Sequence, residues 1–377
     1  MPEYTEYEQP VYAEKEYFEG LNALRLLAMF FVVILHVLLQ GGILKNAEGA
    51  SRVVAWLLET GAFCAVNIYA LTTGFLSYSE EEKPFRYSRV IRLWFQVLFY
   101  SVLLTLLLFP FHREELSLGT IGRSFFPVIN DMYWYFSAFV GVMLIAPLIN
   151  YILRSLTSAT VMVCAGCAVV FFSIIGAVAS HFADPFGLYY GYSFVWLAVL
   201  YFIGAVIRKV RLYEVFPPSR ALLGILVCWI LLFFFQFLME RFSETVPLRP
   251  HDGFYFSYLS PAVFLMAVFY LLLFASYVPK STLWNFARFF APAGFGVYLI
   301  HAHPLVLRFI LSDLFVHIAE YPFPVVLLFV LAIALMIFVI CLLIDTARGI
   351  LFERLYIDRL SENIEGAVRA RIRKMVS

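Results

Sequence analysis

Runs of about 20 apolar residues recur along the whole chain, and they constrain its fold more than any other feature. As a helix, each run is long enough to cross a hydrocarbon core roughly 30 Å thick. Within that core every backbone polar group must be satisfied inside its own segment, which an apolar run achieves only as a helix. The runs fall at 20–40, 53–77, 91–111, 133–153, 160–181, 188–207, 221–239, 255–277, 292–312 and 324–345. They predict an all-α fold, a polytopic membrane helix bundle of about ten transmembrane helices. Charged residues make up only 14% of the chain and hydrophobic ones 63%, against about 25% charged in soluble domains. That balance excludes an aqueous globular enzyme, and no nucleic-acid partner is expected.

The basic residues give the bundle a direction. With the N-terminus inside, the cytoplasmic segments hold 19 of the 27 Lys and Arg, and the opposite side holds 6. The positive-inside rule therefore puts both termini in the cytoplasm. Residues 1–19 carry no basic region or cleavage site and read as a cytoplasmic tail, not a signal peptide. Residues 20–345 form one membrane domain, and 346–377 form a basic amphipathic tail. No internal repeat or matched pair of broken helices points to an inverted-repeat transporter. Five cysteines lie in apolar stretches. Cys164 and Cys167 are spaced C-x-x-C but lack a second ligand pair, so they read as small packing residues and no metal is expected.

Arg25 and His36 interrupt the first run. Ionisable groups in hydrocarbon are costly and by default mark a pathway or reaction centre. The bland alternative is a snorkelling Arg and a satisfied core His. Eleven residues turn the helix through about three full turns, so the two side chains share one face roughly 16 Å apart. In the predicted orientation Arg25 lies in the cytoplasmic third and His36 past the midplane.

Four further segments stand out. Arg86, Arg89 and Arg92 step by three along one side of the helix entering the third span. A topology signal needs only basic charge, whereas guanidinium forks suit phosphate oxygens. Asn67 precedes Thr72, Thr73 and Gly74; the small residues suit helix packing, while a buried Asn needs partners. Trp134 and Tyr135 follow Asp131 at an outer boundary, as an aromatic belt or as rings that stack on sugars. His301 and His303, two residues apart before Pro304, point different ways on a helix. A shared metal site is not expected there, and one of them lining a polar cavity with His36 is.

Taken in order, these segments resemble acyltransferase family 3, the bacterial membrane O-acyltransferases. The resemblance rests on Arg25 and His36 with ten residues between them, and on Arg89-x-x-Arg92. It also rests on Asn67 to Leu76, on Trp134-Tyr135-Phe136 leading to Pro147, and on Tyr298-Leu299-Ile300-His301. Asn67 departs from the acidic residue of many members, and no SGNH-type esterase domain is fused here. The resemblance implies a multi-pass inner-membrane enzyme that transfers an acyl group, most often acetyl, from coenzyme A to a carbohydrate hydroxyl. It implies His36 as general base or acyl carrier, with Arg25 as its catalytic companion. Arg86, Arg89 and Arg92 would hold the donor phosphates, and Asn67, Trp134, Tyr135 and His301 would hold the acceptor. Acyl-CoA is then a substrate, no tightly bound cofactor is expected, and a homo-oligomer is compatible. The rival reading is a transporter of carbohydrate or lipid-linked sugar whose Arg and His line a pathway.

Overall fold

A computed structural model describes residues 18–82, 84–243, 254–276 and 282–376, without the side chains of 282–284 and 376. Most of the expected N-terminal tail, and Lys83 and Lys280, fall outside these residues. Among the described residues every regular element is a helix. Those of eight residues or more are α1 (Gly20–Leu39), α2 (Gly49–Ala62), α3 (Ala65–Ser77), α4 (Ser88–Leu108), α5 (Trp134–Ser155) and α6 (Ser158–Ala168). They continue as α7 (Phe194–Lys209), α8 (Pro218–Ser243), α9 (Pro261–Ala275), α10 (Thr282–Phe290), α11 (Gly294–His301), α12 (Phe323–Arg354) and α13 (Ile357–Val376).

Each expected span contains a helix, but not every helix is a full span. Among the described residues, 7 helices are long and apolar enough to cross a membrane. The count reaches 8 if Asn285–His301 and Pro304–Leu311, bent by 54°, are one span. The bend follows from Pro304, which cannot donate to the preceding turn. The two remaining segments, α7 and α9, have 16 and 15 helical residues, shorter than their apolar runs because loops take up the ends. The expected 53–77 span is α2 and α3 in series, broken at Phe63 and Cys64. The chain is a multi-pass membrane protein.

Burial sorts the helices into an inner and an outer set. α1, α2 and α3 are largely enclosed, whereas α8 exposes Leu223, Ile230, Leu231 and Phe234. A helix apolar all round is at home in lipid, and α8 has that character. Cys164 and Cys167 lie exposed on α6, so they do not pack the interior as their sequence context implied. The closest crossing is α3 on α7, where Gly74 abuts the Tyr201 carbonyl and Gly204 the Leu71 carbonyl. A side chain at either glycine would run into backbone, which accounts for small residues at this crossing.

A buried polar clamp joins three helices. Asp345 is fully enclosed and accepts from Arg348 Nε at 2.8 Å and Nη2 at 2.7 Å, and from Gln96 Nε2 at 2.9 Å. Gly296 on α11 lies against the Asp345 carboxylate, where any side chain would collide with it. The expected boundary at 345/346 falls inside the continuous helix α12, so the clamp spans it.

α13 lies across the start of α4. Glu365 accepts from the backbone N–H of Ser88 at 2.8 Å and of Tyr87 at 3.2 Å, filling the orphan donors of that helix start. Arg369 donates to Glu365 at 2.6 Å and to the Phe85 carbonyl. Asp358 pairs with Arg92 at 2.9 Å. Burial pushes the Glu365 carboxyl up, but Arg369 and the two amides outweigh it and hold it at about 2. The other face of α13 exposes Leu360, Ile364, Val368 and Ile372, an apolar stripe at helical spacing above a basic flank.

Candidate active site

One face of α1 forms a wall of a cavity of about 290 Å³. Met29, Val32, His36, Leu39 and Gln40 recur at the helical period and all line it. This wall runs roughly 16 Å along the helix axis. The facing walls come from α2, α3 and the break between them (Glu59, Phe63, Val66, Tyr69), from the start of α5 (Trp134, Tyr135), and from Tyr190, Tyr192, Phe254, Phe256 and Tyr258.

His36 meets His301 in the interior. Their ring centroids are 4.9 Å apart with a 54° interplanar angle. His301 Nδ1 lies 2.5 Å from the Val297 carbonyl; since a carbonyl only accepts, that nitrogen carries the proton. His301 Nε2 and His36 Nδ1 are both buried without a protein partner. Each ring therefore keeps one unused nitrogen in the interior, and of the two only His36 lines the cavity. His303 is committed elsewhere: its Nδ1 accepts from Leu305 N–H at 3.2 Å and caps the next helix.

Arg25 is partly buried, one helix face with His36 but nearer the opposite end of the bundle. The Tyr69 hydroxyl donates to the Arg25 carbonyl at 2.7 Å. The Arg25 guanidinium lies within electrostatic reach of Tyr69 and Tyr135, both of which line the cavity. Arg86, Arg89 and Arg92 are exposed and stand apart from the cavity, at the start of α4 under α13. Arg92 is held by Asp358 there.

Trp134 and Tyr135 line the cavity, as rings in its wall and not in a surface belt. Asn67 is placed differently from the expected acceptor contact. Its carbonyl oxygen accepts from Trp196 Nε1 at 3.1 Å and its amide donates to the Tyr258 carbonyl at 2.8 Å. With both ends used, Asn67 stands behind the wall and fixes Tyr258 within it.

Glu59 was not among the expected site residues. It is 1% exposed, lines the cavity, and leaves Oε2 without a partner. The signal was an acidic residue inside an apolar run, the same signal that marked Arg25 and His36.

No curated protein and no solved structure matches the chain. A family match does exist, to an acyltransferase domain, and it covers residues 18–345, all of α1 to α11 and most of α12. With nearly the whole bundle matched, the chain belongs to acyltransferase family 3, and its activity is acyl transfer.

Proposed function

We propose that the chain transfers an acyl group, acetyl in the simplest case, from acyl-CoA to a hydroxyl of a cell-surface or secreted carbohydrate. The observation that carries this reading is His36 on the wall of an aromatic-lined cavity, backed by His301 and on one helix face with Arg25. Rings such as Trp134, Tyr135 and Tyr192 offer the apolar faces on which sugars stack. His36 serves as general base. It takes the proton of the acceptor hydroxyl as that oxygen attacks the thioester carbonyl. The carbon–sulfur bond breaks, and the proton passes to the departing thiolate. The products are the ester and coenzyme A.

His301 acts through His36. With its own Nδ1 proton on Val297, its Nε2 can accept N–H from His36 Nδ1. That arrangement leaves His36 Nε2 free for the hydroxyl and steadies the imidazolium formed in the step. The donor's phosphates would engage Arg89 and Arg92 at the start of α4, with Arg25 between them and the reacting atoms. Both termini then lie in the cytoplasm of a bacterial inner membrane, with donor and acceptor approaching from opposite faces.

The test is acyl transfer from radiolabelled acetyl-CoA by the purified protein. His36→Ala should abolish product while membrane expression stays near normal. A variant retaining more than about a tenth of the wild-type rate would remove His36 from the role, since general bases contribute about 10²–10⁴-fold. Sugar uptake into proteoliposomes with no acyl loss would favour transport instead.

A further inference from the structure

Glu59 is the one carboxylate in the cavity wall, and that wall contains no Lys or Arg among the described residues. It is buried, and its Oε2 has no partner. On the same α2 stripe Trp56 and Phe63 flank it, three residues before and four after. From these the rings continue without a gap. Trp56 meets Phe254 at 5.2 Å, Phe63 stacks on Tyr258 at 4.7 Å, and Tyr192 joins Tyr258 at 4.9 Å to Trp134 at 4.7 Å. Gln40, across the cavity at the end of α1, also leaves its side-chain oxygen Oε1 unpaired.

A neutral hydroxyl could be held by an amide or a tyrosine without a net charge in the wall. Buried without a partner in a low-dielectric site, the Glu59 carboxyl either keeps its proton or is completed by something positive. Among the described residues no Lys or Arg lines the cavity, and the surrounding ring faces attract cations. We propose that Glu59 and the aromatic wall of Phe63, Tyr192, Tyr258 and Trp134 form a subsite for a cationic nitrogen on the acceptor. The acceptor class is then an amino sugar, or another amine-bearing polyol, in its ammonium form. This rests on the cavity being the acceptor site of acyl transfer. An ammonium bound at Glu59 has no lone pair to attack the thioester, so the subsite directs acylation to the hydroxyl presented at His36.

The test reads binding without any acyl donor, so its result stands whether or not transfer is later observed. The full-length protein in nanodiscs is titrated with glucosamine and with glucose, following tryptophan fluorescence. Glucosamine should bind at least about tenfold tighter. In Glu59→Gln that preference should vanish, the glucosamine affinity falling to that of glucose for the same variant. Equal affinity in the wild type, or a preference that survives Glu59→Gln, overturns the proposal. A second measurement needs no variant. Modification of Glu59 in the wild type by a hydrophobic carbodiimide should be slowed by glucosamine and not by glucose; equal protection by both sugars, or by neither, overturns it as well.

Discussion

His36 and His301 stand 265 positions apart in the chain, yet their rings lie 4.9 Å apart, and His36 Nδ1 and His301 Nε2 are both buried without a hydrogen-bond partner. The relationship gives the pair different duties. His36 lines the cavity, while His301 is anchored to Val297 and, under the proposed function, steadies its neighbour.

His301→Ala should therefore lower kcat by about ten- to a hundredfold while leaving the Michaelis constants for donor and acceptor nearly unchanged. His301→Gln should recover part of the loss, because an amide oxygen can accept the same N–H. The pH–rate profile of either variant should shift relative to wild type. A variant altered in acceptor KM alone would make His301 a binding group.

Under the proposed function Arg89 and Arg92 hold the donor phosphates. Replacing either by Ala should raise the KM for acyl-CoA more than it lowers turnover at saturating donor. Lys should restore only part, because a point charge cannot reproduce a two-pronged contact. Full activity in the double Lys variant would reduce both residues to topology signals.

Asp345 neutralises a buried Arg348. Asp345→Ala should cost about 3–5 kcal/mol, because it strands a guanidinium between α4, α11 and α12. Asp345→Asn should cost less, since it keeps an oxygen for Gln96. Thermal unfolding in detergent checks both, and an unchanged midpoint in the Ala variant would show that the clamp carries no stability.

Docking of α13 should depend on acid. Glu365 has a folded value of about 2, below the roughly 4.3 of a free Glu side chain. A carboxyl depressed in this way contributes fully above its unfolded value and loses that contribution as pH falls toward the folded one. Hydrogen exchange in residues 357–376 should accordingly rise as pH drops from about 5 to about 2, after correction for intrinsic rates. Glu365→Gln should exchange faster at neutral pH and show little further acid response. An acid response equal to wild type in that variant would place the titrating group elsewhere.

Much of the scaffold was legible because lipid enforces it. Apolar length located a helix in every expected segment, and α1 agrees with its expected bounds to within a residue. What length could not reveal was how loops shorten α7 and α9, or how Pro304 bends a span. The site was legible where a single residue violates its surroundings, as Arg25 and His36 do. Glu59 violates them equally and was readable on the same grounds. Asn67 announced that it needed partners, but Trp196 and the Tyr258 carbonyl lie 129 and 191 residues away. No local pattern names them. For the same reason the sequence marked the arginine ladder without revealing that Asp358 and Glu365 of α13 would lie against it.

Three backbone bonds and one side-chain bond hold the opposing walls of the cavity. Beyond His36, Gln40 and Gly41 accept from the N–H groups of Asp313 and Phe315 at 2.8 and 2.9 Å. This stitches the end of α1 to the segment that follows the bent helix of His301. On the far side, Tyr258 N–H donates to the Tyr190 carbonyl at 3.1 Å, and Asn67 grips Tyr258 from behind. The histidines thus ride on one sewn panel and the ring wall on another. The Tyr133 hydroxyl, donating to the Leu299 carbonyl at 2.9 Å, ties the two panels together, so the ring wall cannot shift without carrying the helix of His301 with it.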